Sequence, residues 1–279
     1  MRIFNFEEQL IPLDEWIQTF VDWLVLNYRE FFQIIKIPVE VSLEGLEWLF
    51  SVLPPFVIIL IFIFLAWRYA GKRVSLFTVL TFLLIGYLGL WDDTMTTLAM
   101  VITSVIFCAV AGIPLGIMAG RSDRFEMFLR PCLDAMQTTP AFVYLIPVVM
   151  LFSIGTVSGI LATIVFSLPP IIRLTNLGIR QVHPELIEAA LAFGATPRQV
   201  LFKVQFPLAL PSIMAGLNQT LMMALSMVVI AALIGAGGLG NPVVQGLNTL
   251  EIGLATIGGL SIVLLAMVLD RITQGIAQK

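Results

Sequence analysis

Charge is what this sequence has least of. Only 12% of its 279 residues are Asp, Glu, Lys or Arg, roughly half the share of an ordinary soluble domain. Hydrophobic residues make up 59%. The length would allow one or two soluble domains, but so apolar a chain points to lipid as its solvent. The net charge of −3 gives no basic footprint for nucleic acid. Histidine occurs once, as His183 just before Pro184, and reads as a loop residue rather than a catalytic one. Cys108 and Cys132 fall in or near apolar segments without metal-ligand spacing and read as packing residues. The N-terminus lacks a basic stretch followed by an apolar core. Glu7 and Glu8 stand where a signal peptide has Lys or Arg, so no cleaved signal is expected. No phosphate-binding loop appears, since Gly116 to Ser122 lacks the Gly-Lys-Ser/Thr ending. If ATP drives this protein, a partner hydrolyses it. Low-complexity stretches and a long internal repeat are also missing, so a two-fold symmetric pore needs a second copy of the chain.

What is there is a series of apolar runs, each near the roughly 20 residues that cross a bilayer as a helix. Seven candidates stand at about 49–67, 74–90, 94–119, 134–155, 157–173, 208–234 and 252–270. Backbone groups in lipid must pair internally, so the expected fold is all-α with about seven transmembrane helices. The second run is short and the sixth long, which predicts tilt or a kink. Lys and Arg then set the orientation. Arg68, Lys72 and Arg73 lie between runs one and two, and Arg121, Arg124 and Arg130 between three and four. Arg173, Arg180, Arg198 and Lys203 lie between five and six, and Arg271 and Lys279 follow run seven. With seven crossings these four regions share one side. The opposite side holds Arg2, Arg29 and Lys36 against Asp92, Asp93, Glu251 and an acidic tail. The expectation is an N-terminus outside and a C-terminus in the cytoplasm.

The chain divides into a tail, 1–45, and a transmembrane domain, 46–279. Between about Leu13 and Pro38 the tail is amphipathic. Asp14, Gln18, Asp22, Arg29, Gln33 and Lys36 recur at three- to four-residue spacing among Trp16, Ile17, Phe20, Leu24, Phe31, Phe32 and Ile35. Two readings stand side by side: a helix lying on the outer membrane face, or a helix packed against the spans.

The runs carry almost no ionisable residue away from their ends; Asp134, Arg173 and Asp270 are all terminal. Ion-coupled carriers place acids or histidine inside the membrane, and intramembrane enzymes need a nucleophile, a base or a metal. Both classes are disfavoured. The uncharged polar residues are Gln137, Thr138, Thr139, Ser167, Asn218, Gln219, Thr220 and Ser226. Singly, each reads best as an interhelical hydrogen-bonding group; their clustering in runs four to six suggests a polar pathway. Gly235-Ala236-Gly237-Gly238-Leu239-Gly240 has the spacing of a dinucleotide-binding turn, but it follows a span rather than a strand. A turn ending the sixth span, or close helix packing, fits better.

The longest predicted cytoplasmic loop, 174–206, holds Pro184-Glu185-Leu186-Ile187-Glu188-Ala189-Ala190-Leu191-Ala192-Phe193-Gly194-Ala195-Thr196-Pro197. Pro184 suits a first helical position and Gly194 a helix C-terminus, with positive φ. Thr196-Pro197 suits a cap and first position opening a second helix toward Phe206. The first helix would be only about 15 Å long, slim enough at Ala189, Ala190 and Ala192 to enter a partner's groove.

These residues carry a resemblance. Glu188-Ala189-Ala190, Gly194 and Val204-Gln205-Phe206-Pro207 resemble the "EAA" loop of ABC importer permeases, with Val204 and Phe206 where Ile and Leu are commoner. Met136-Gln137-Thr138-Thr139-Pro140-Ala141-Phe142-Val143-Tyr144-Leu145-Ile146-Pro147 resembles the permeases of glycine betaine/proline importers. So do 225–232, the 235–240 turn and Leu269-Asp270-Arg271-Ile272-Thr273-Gln274, with Thr139 where Met is usual. The resemblance implies a type I ABC importer permease fold in a prokaryotic plasma membrane. It implies a transport subunit rather than an enzyme, with ATP and magnesium held by partner ATPases. The implied partners are a second copy of the chain, two cytoplasmic ATPase subunits and an external binding protein. Glu185, Glu188, Ala189, Ala190, Gly194, Ala195, Thr196 and Pro207 would form the ATPase-coupling loop. Gln137, Thr139, Pro140, Phe142, Asn218, Met222 and Ser226 are the pathway candidates. The implied cargo is a glycine betaine- or proline-type osmolyte, with choline or carnitine as the alternative. Trp16, Trp23, Trp48, Trp67 and Trp91 lie in the tail or near span ends, where interface anchoring accounts for them.

Overall fold

The computed structural model describes residues 12–277. Arg2, Glu7, Glu8, Lys279 and the first eleven residues of the tail lie outside the described residues, as do the side chains of Asp14 and Arg29. The chain begins with α1 (Leu13–Val52), α2 (Pro55–Leu65), α3 (Lys72–Tyr87), α4 (Trp91–Arg121), α5 (Asp123–Thr138) and α6 (Leu145–Phe152). It continues with α7 (Thr156–Arg180), α8 (Pro184–Ala192), α9 (Pro197–Val200), α10 (Phe206–Ala232), α11 (Gly240–Thr249) and α12 (Ile252–Ala277).

Among the described residues, four helices are each long and apolar enough to cross a membrane: α4, α7, the continuous α9–α10 and α12. Counting each sharply bent pair as one span raises the total to six. Each of the seven expected runs is helical, but three of them are not long single helices, and one, α3, is too short to count as a span by itself. The first candidate breaks at Pro54-Pro55, where α1 meets α2 at 108°, and a π-helical turn at Ala66–Ala70 completes it. The second, α3, has only 16 residues. The fourth is bent by 107° between α5 and α6, because Thr139, preceding Pro140, is extended (ψ 127°) as pre-proline residues prefer.

The helices α4, α7 and α10 form the centre, and small residues let their backbones approach. Gly112, Gly116 and Gly120 share one face of α4 and sit on α7: a Cβ at Gly116 would lie 2.5 Å from the Thr175 Cβ and 2.7 Å from the Ile172 carbonyl. Gly178 of α7 meets Ala209 and Ser212 of α10 in the same way. Van der Waals packing of this kind is what holds helices together in lipid. A second core joins α2, α3, α4, α10 and α12 through Ile58, Phe82, Leu98, Leu225 and Leu265.

Helix α1 bears out the packed reading of the tail in its second half, while its first half stands away from the bundle. From Leu13 to Phe31 no described side chain is buried, and Trp16, Phe20 and Leu26 are 60%, 59% and 82% exposed. Beyond a kink at Tyr28 the helix settles on the bundle. Phe32 meets Phe152 edge-on at 5.7 Å, and Val39 and Leu43 are buried with Ala99, Met100 and Ile160. The helix runs without a break through residues 45 and 46.

The bundle has an acidic and a basic end. Glu47 and Asp92 line one pocket, Gly238 rests on the Asp93 carbonyl, and Gly246 rests on the Glu251 carbonyl. At the other end Arg180 reaches Asp123, and Gly275 of α12 lies against the Tyr69–Ala70 backbone. The four cation-bearing loops therefore gather at one end, as the charge alternation predicts.

Candidate translocation and coupling sites

At the basic end α8 stands clear of the bundle. No residue of α8 is buried, and Phe193 at its C-cap is 92% exposed. Its termination is local. Gly194 adopts φ +81°, the Gly194 N–H donates to the Leu191 carbonyl (2.9 Å), and the Ala195 N–H donates to the Ala190 carbonyl (3.0 Å). That is a Schellman close, and it needs the left-handed conformation that glycine adopts without strain. The next helix starts on a complete capping box. The Gln199 N–H donates to the Thr196 hydroxyl (3.4 Å), and the Thr196 N–H donates to the Gln199 side-chain oxygen (2.8 Å). Pro197 takes the first helical position.

The second helix departs from the expectation of a short piece ending at Phe206. It continues through a π-helical turn, Leu201–Gln205, into α10. Pro207 has no N–H to donate, and its ring crowds the preceding turn; a wider turn just before it lets the helix run on. Pro207 itself is exposed. The described residues place no side-chain hydrogen bond or ion pair on Glu185 or Glu188, and both side chains face outward.

The pathway candidates separate into two groups. Gln137, Pro140 and Phe142 are exposed at the α5–α6 bend, and Thr139 is half-buried with its hydroxyl on the Ala135 carbonyl. Met222 and Ser226 are exposed on α10, and they extend a stripe that includes Pro211, Ala215 and Gln219. Spacings of three and four put these five residues on one helix face, a regularity the polar residues alone did not reveal. The bend lies beside that helix, since Ala141 and Tyr144 pack in the cluster containing Met227 and Ile230. Asn218 is different: its amide donates to Asp270 (2.9 Å) and its carbonyl accepts from the Thr273 hydroxyl. It belongs to a contact between α10 and α12.

Two further features escaped the sequence reading. One is an ionic seam. Arg173 pairs with Asp134 (2.5 Å), and Arg180 pairs with Asp123 (2.7 Å) and Glu126 (3.1 Å), tying α5 to α7 around a cavity of about 410 Å³. The other is the density of the acidic end. Gly235, Gly237 and Gly238 all have positive φ, so the 235–240 segment is a turn. It is also a close-packed one. The Leu239 N–H donates to the Thr97 hydroxyl (2.8 Å), Leu239 is fully buried, and a Cβ at Gly240 would lie 2.4 Å from the Val228 carbonyl.

Comparison with known proteins decides what this architecture is. Residues 112–279 match the family described as the binding-protein-dependent transport system inner membrane component. The chain belongs to that family. This membrane component is 54% identical to the glycine betaine/proline betaine transport system permease protein ProW of Escherichia coli (strain K12), over 98% of the chain and 77% of the relative. It is 47% identical to the glycine betaine transport system permease protein OpuAB of Bacillus subtilis (strain 168), over 96% and 95%. Among solved structures, an inward-facing MetNI methionine ABC transporter matches with TM-score 0.56 and 28% identity, covering 65% of this chain and 89% of that one. The binding-protein-dependent membrane component described here is thus a permease subunit of an ABC importer, a transport part rather than an enzyme. It has the type I importer fold, and it works with ATPase and substrate-binding partners.

Proposed function

We propose that this chain forms, as two copies around one axis, the passage through which a glycine betaine- or proline betaine-type osmolyte enters the cell. The cargo reading rests on what the named relatives carry. The orientation reading rests on the gathering of cationic loops at one end, which the positive-inside rule makes cytoplasmic. The N-terminus is then outside. The observation that carries the mechanism is the exposed α8, hinged at Gly194 and followed by a helix that runs unbroken into the membrane. A cleft on each of two ATPase subunits receives α8, with Glu188, Ala189, Ala190 and the Phe193 ring at the contact. ATP and magnesium are the ATPase's ligands. Closing of the ATPase pair draws the two α8 helices together and favours the outward-facing arrangement, which accepts cargo from the external binding protein.

Within the passage, Gln137, Thr139, Pro140, Phe142, Met222 and Ser226 supply neutral polar and soft apolar surface. None of them is a carboxylate, and no aromatic cage is needed for a cargo that must not be trapped. Selection then belongs to the binding protein. The test is uptake of labelled glycine betaine, proline betaine, carnitine and choline by liposomes holding the assembled complex with ATP inside. Uptake of one of the betaines first supports the reading, and preference for choline or carnitine moves the cargo assignment. Calorimetry on the permease pair alone should detect no betaine binding at concentrations that saturate the binding protein. Saturable micromolar binding there would place selection in this chain.

A further inference from the structure

Asn218 differs from the other pathway candidates in bonding to a second helix. Asp270 is half-buried on α12, seven residues from the end of that helix. Its Oδ1 accepts from the Asn218 amide (2.9 Å) and from the Gln274 amide (2.7 Å). The Thr273 hydroxyl donates to the Asn218 carbonyl oxygen. Among the described residues, every hydrogen-bond donor to this carboxylate is neutral, and Asp270 makes no ion pair. A carboxylate that attracts no cation but collects amides binds by geometry, and it ties two helices at one level.

The position of this tie matters. The helix that starts at Pro197, three residues beyond the Gly194 hinge, is continuous to Ala232. Asn218 lies about 32 Å along it from Pro197 by helix rise. Toward the acidic end, Leu221, Ala224, Leu225 and Val228 of α10 share one buried core with Leu265, Val268 and Leu269 of α12. The apolar seam holds the upper part of the pair. The polar contact pins it on the side from which a push would arrive.

We propose that Asn218 and Asp270 are positioning residues that make α10 and α12 move as one body, so that displacement of the coupling helix reaches α12. The proposal rests on the reading of α8 as the ATPase-docking helix. The tie is made by two directional hydrogen bonds between the helices, so it holds their register while the bundle shifts. Without it, α10 turns against α12, and ATP hydrolysis no longer drives the passage.

The experiment is an exchange in the complete reconstituted complex, reading both ATP hydrolysis and uptake. Asn218→Asp alone sets two carboxylates face to face and should lower uptake about tenfold, while hydrolysis stays within about twofold, the scale of contact coupling energies. Asp270→Asn alone keeps an amide pair and should be mild. Asn218→Asp with Asp270→Asn rebuilds the contact between the helices. The amide nitrogen at 270 takes the place of Oδ1: it donates to the carboxylate at 218 and, once Gln274 turns its side-chain amide over, to the Gln274 carbonyl oxygen, and Thr273 still donates to 218. Uptake per ATP should return. If the exchanged complex assembles and hydrolyses ATP but remains uncoupled, the proposal is overturned. Should Asn218→Asp not assemble, Asn218→Cys with Thr273→Cys, in a chain with Cys108 and Cys132 replaced by serine, decides the matter. Uptake should be low with free thiols and restored when a short bifunctional thiol reagent joins them; loss of residual uptake on joining refutes a common body. Absence of ATP-driven uptake by the unmodified chain instead refutes the docking reading and the proposal with it.

Discussion

The 235–240 turn at the acidic end and the α5 and α8 segments at the basic end are fastened by opposite means. At the acidic end Leu239 is fully buried, the Gly235–Gly240 turn leaves no room for a Cβ at 238 or 240, and Gly159 meets Ala231 and Ala236. Those contacts are dry and close, and close packing resists displacement. At the basic end α5 is tied to α7 by exposed ion pairs, only Leu133 of α5 is buried, and α8 has no buried residue. Exposed ion pairs are weak and screened by salt. On the proposed coupling reading this asymmetry suits an importer driven from one side: segments that yield where the ATPase would dock, and a firmer block beyond them.

Substitutions sharpen the contrast in a fixed order. Gly238→Val should be the most damaging. A Cβ there lies 2.5 Å from the Thr97 hydroxyl, and φ is +69°. Overpacking and left-handed strain together should cost about 3 kcal/mol, read as loss of folded protein in thermal denaturation of the detergent-solubilised chain. Gly116→Leu should follow at about 2 kcal/mol, since it forces α4 away from Thr175 and the Ile172 carbonyl. If either protein melts like the parent, the acidic end and centre are not the rigid part. Phe193→Ala should leave thermal stability unchanged, because that ring is 92% exposed, yet it should reduce recovery of the ATPase with the purified permease. The smallest effect belongs to Arg173→Gln, which removes one half-exposed ion pair and should cost under about 1 kcal/mol, less still in high salt. A cost comparable with Gly116→Leu would mean that the basic end is as firmly locked as the other.

Local features were legible in the sequence. Pro184, Gly194 and Thr196-Pro197 predicted a helix, a bend and a capped start, and each appears, because capping depends on residues within one turn of one another. The alternation of Lys and Arg predicted which loops gather at one end. Features that depend on distant partners were not legible. Arg180 and Asp123 are 57 positions apart and Arg173 and Asp134 are 39 apart, and nothing in a single chain names such pairs. Asn218 was grouped with the pathway by its polarity, and its bonds to Asp270 and Thr273, 52 and 55 positions away, were not legible. Other signals were present but were read too weakly. Pro54-Pro55 and Thr139-Pro140 mark the two sharp bends, where a hydropathy run registers only length. Gly112, Gly116 and Gly120 announce a close helix contact by their spacing alone.

The central claim is that force enters through α8 and its glycine hinge while the rest of the chain stays folded. Gly194→Val tests it most directly. The site is open, with nothing within 4 Å of where a Cβ would stand, so the substitution perturbs only the left-handed backbone, at about 1–2 kcal/mol. The measurement is ATP-driven betaine uptake by the reconstituted complex, beside the melting temperature of the permease and its recovery with the ATPase. The account predicts a near-parental melting temperature, reduced ATPase recovery and no ATP-driven uptake. Normal uptake by the Gly194→Val chain would contradict it.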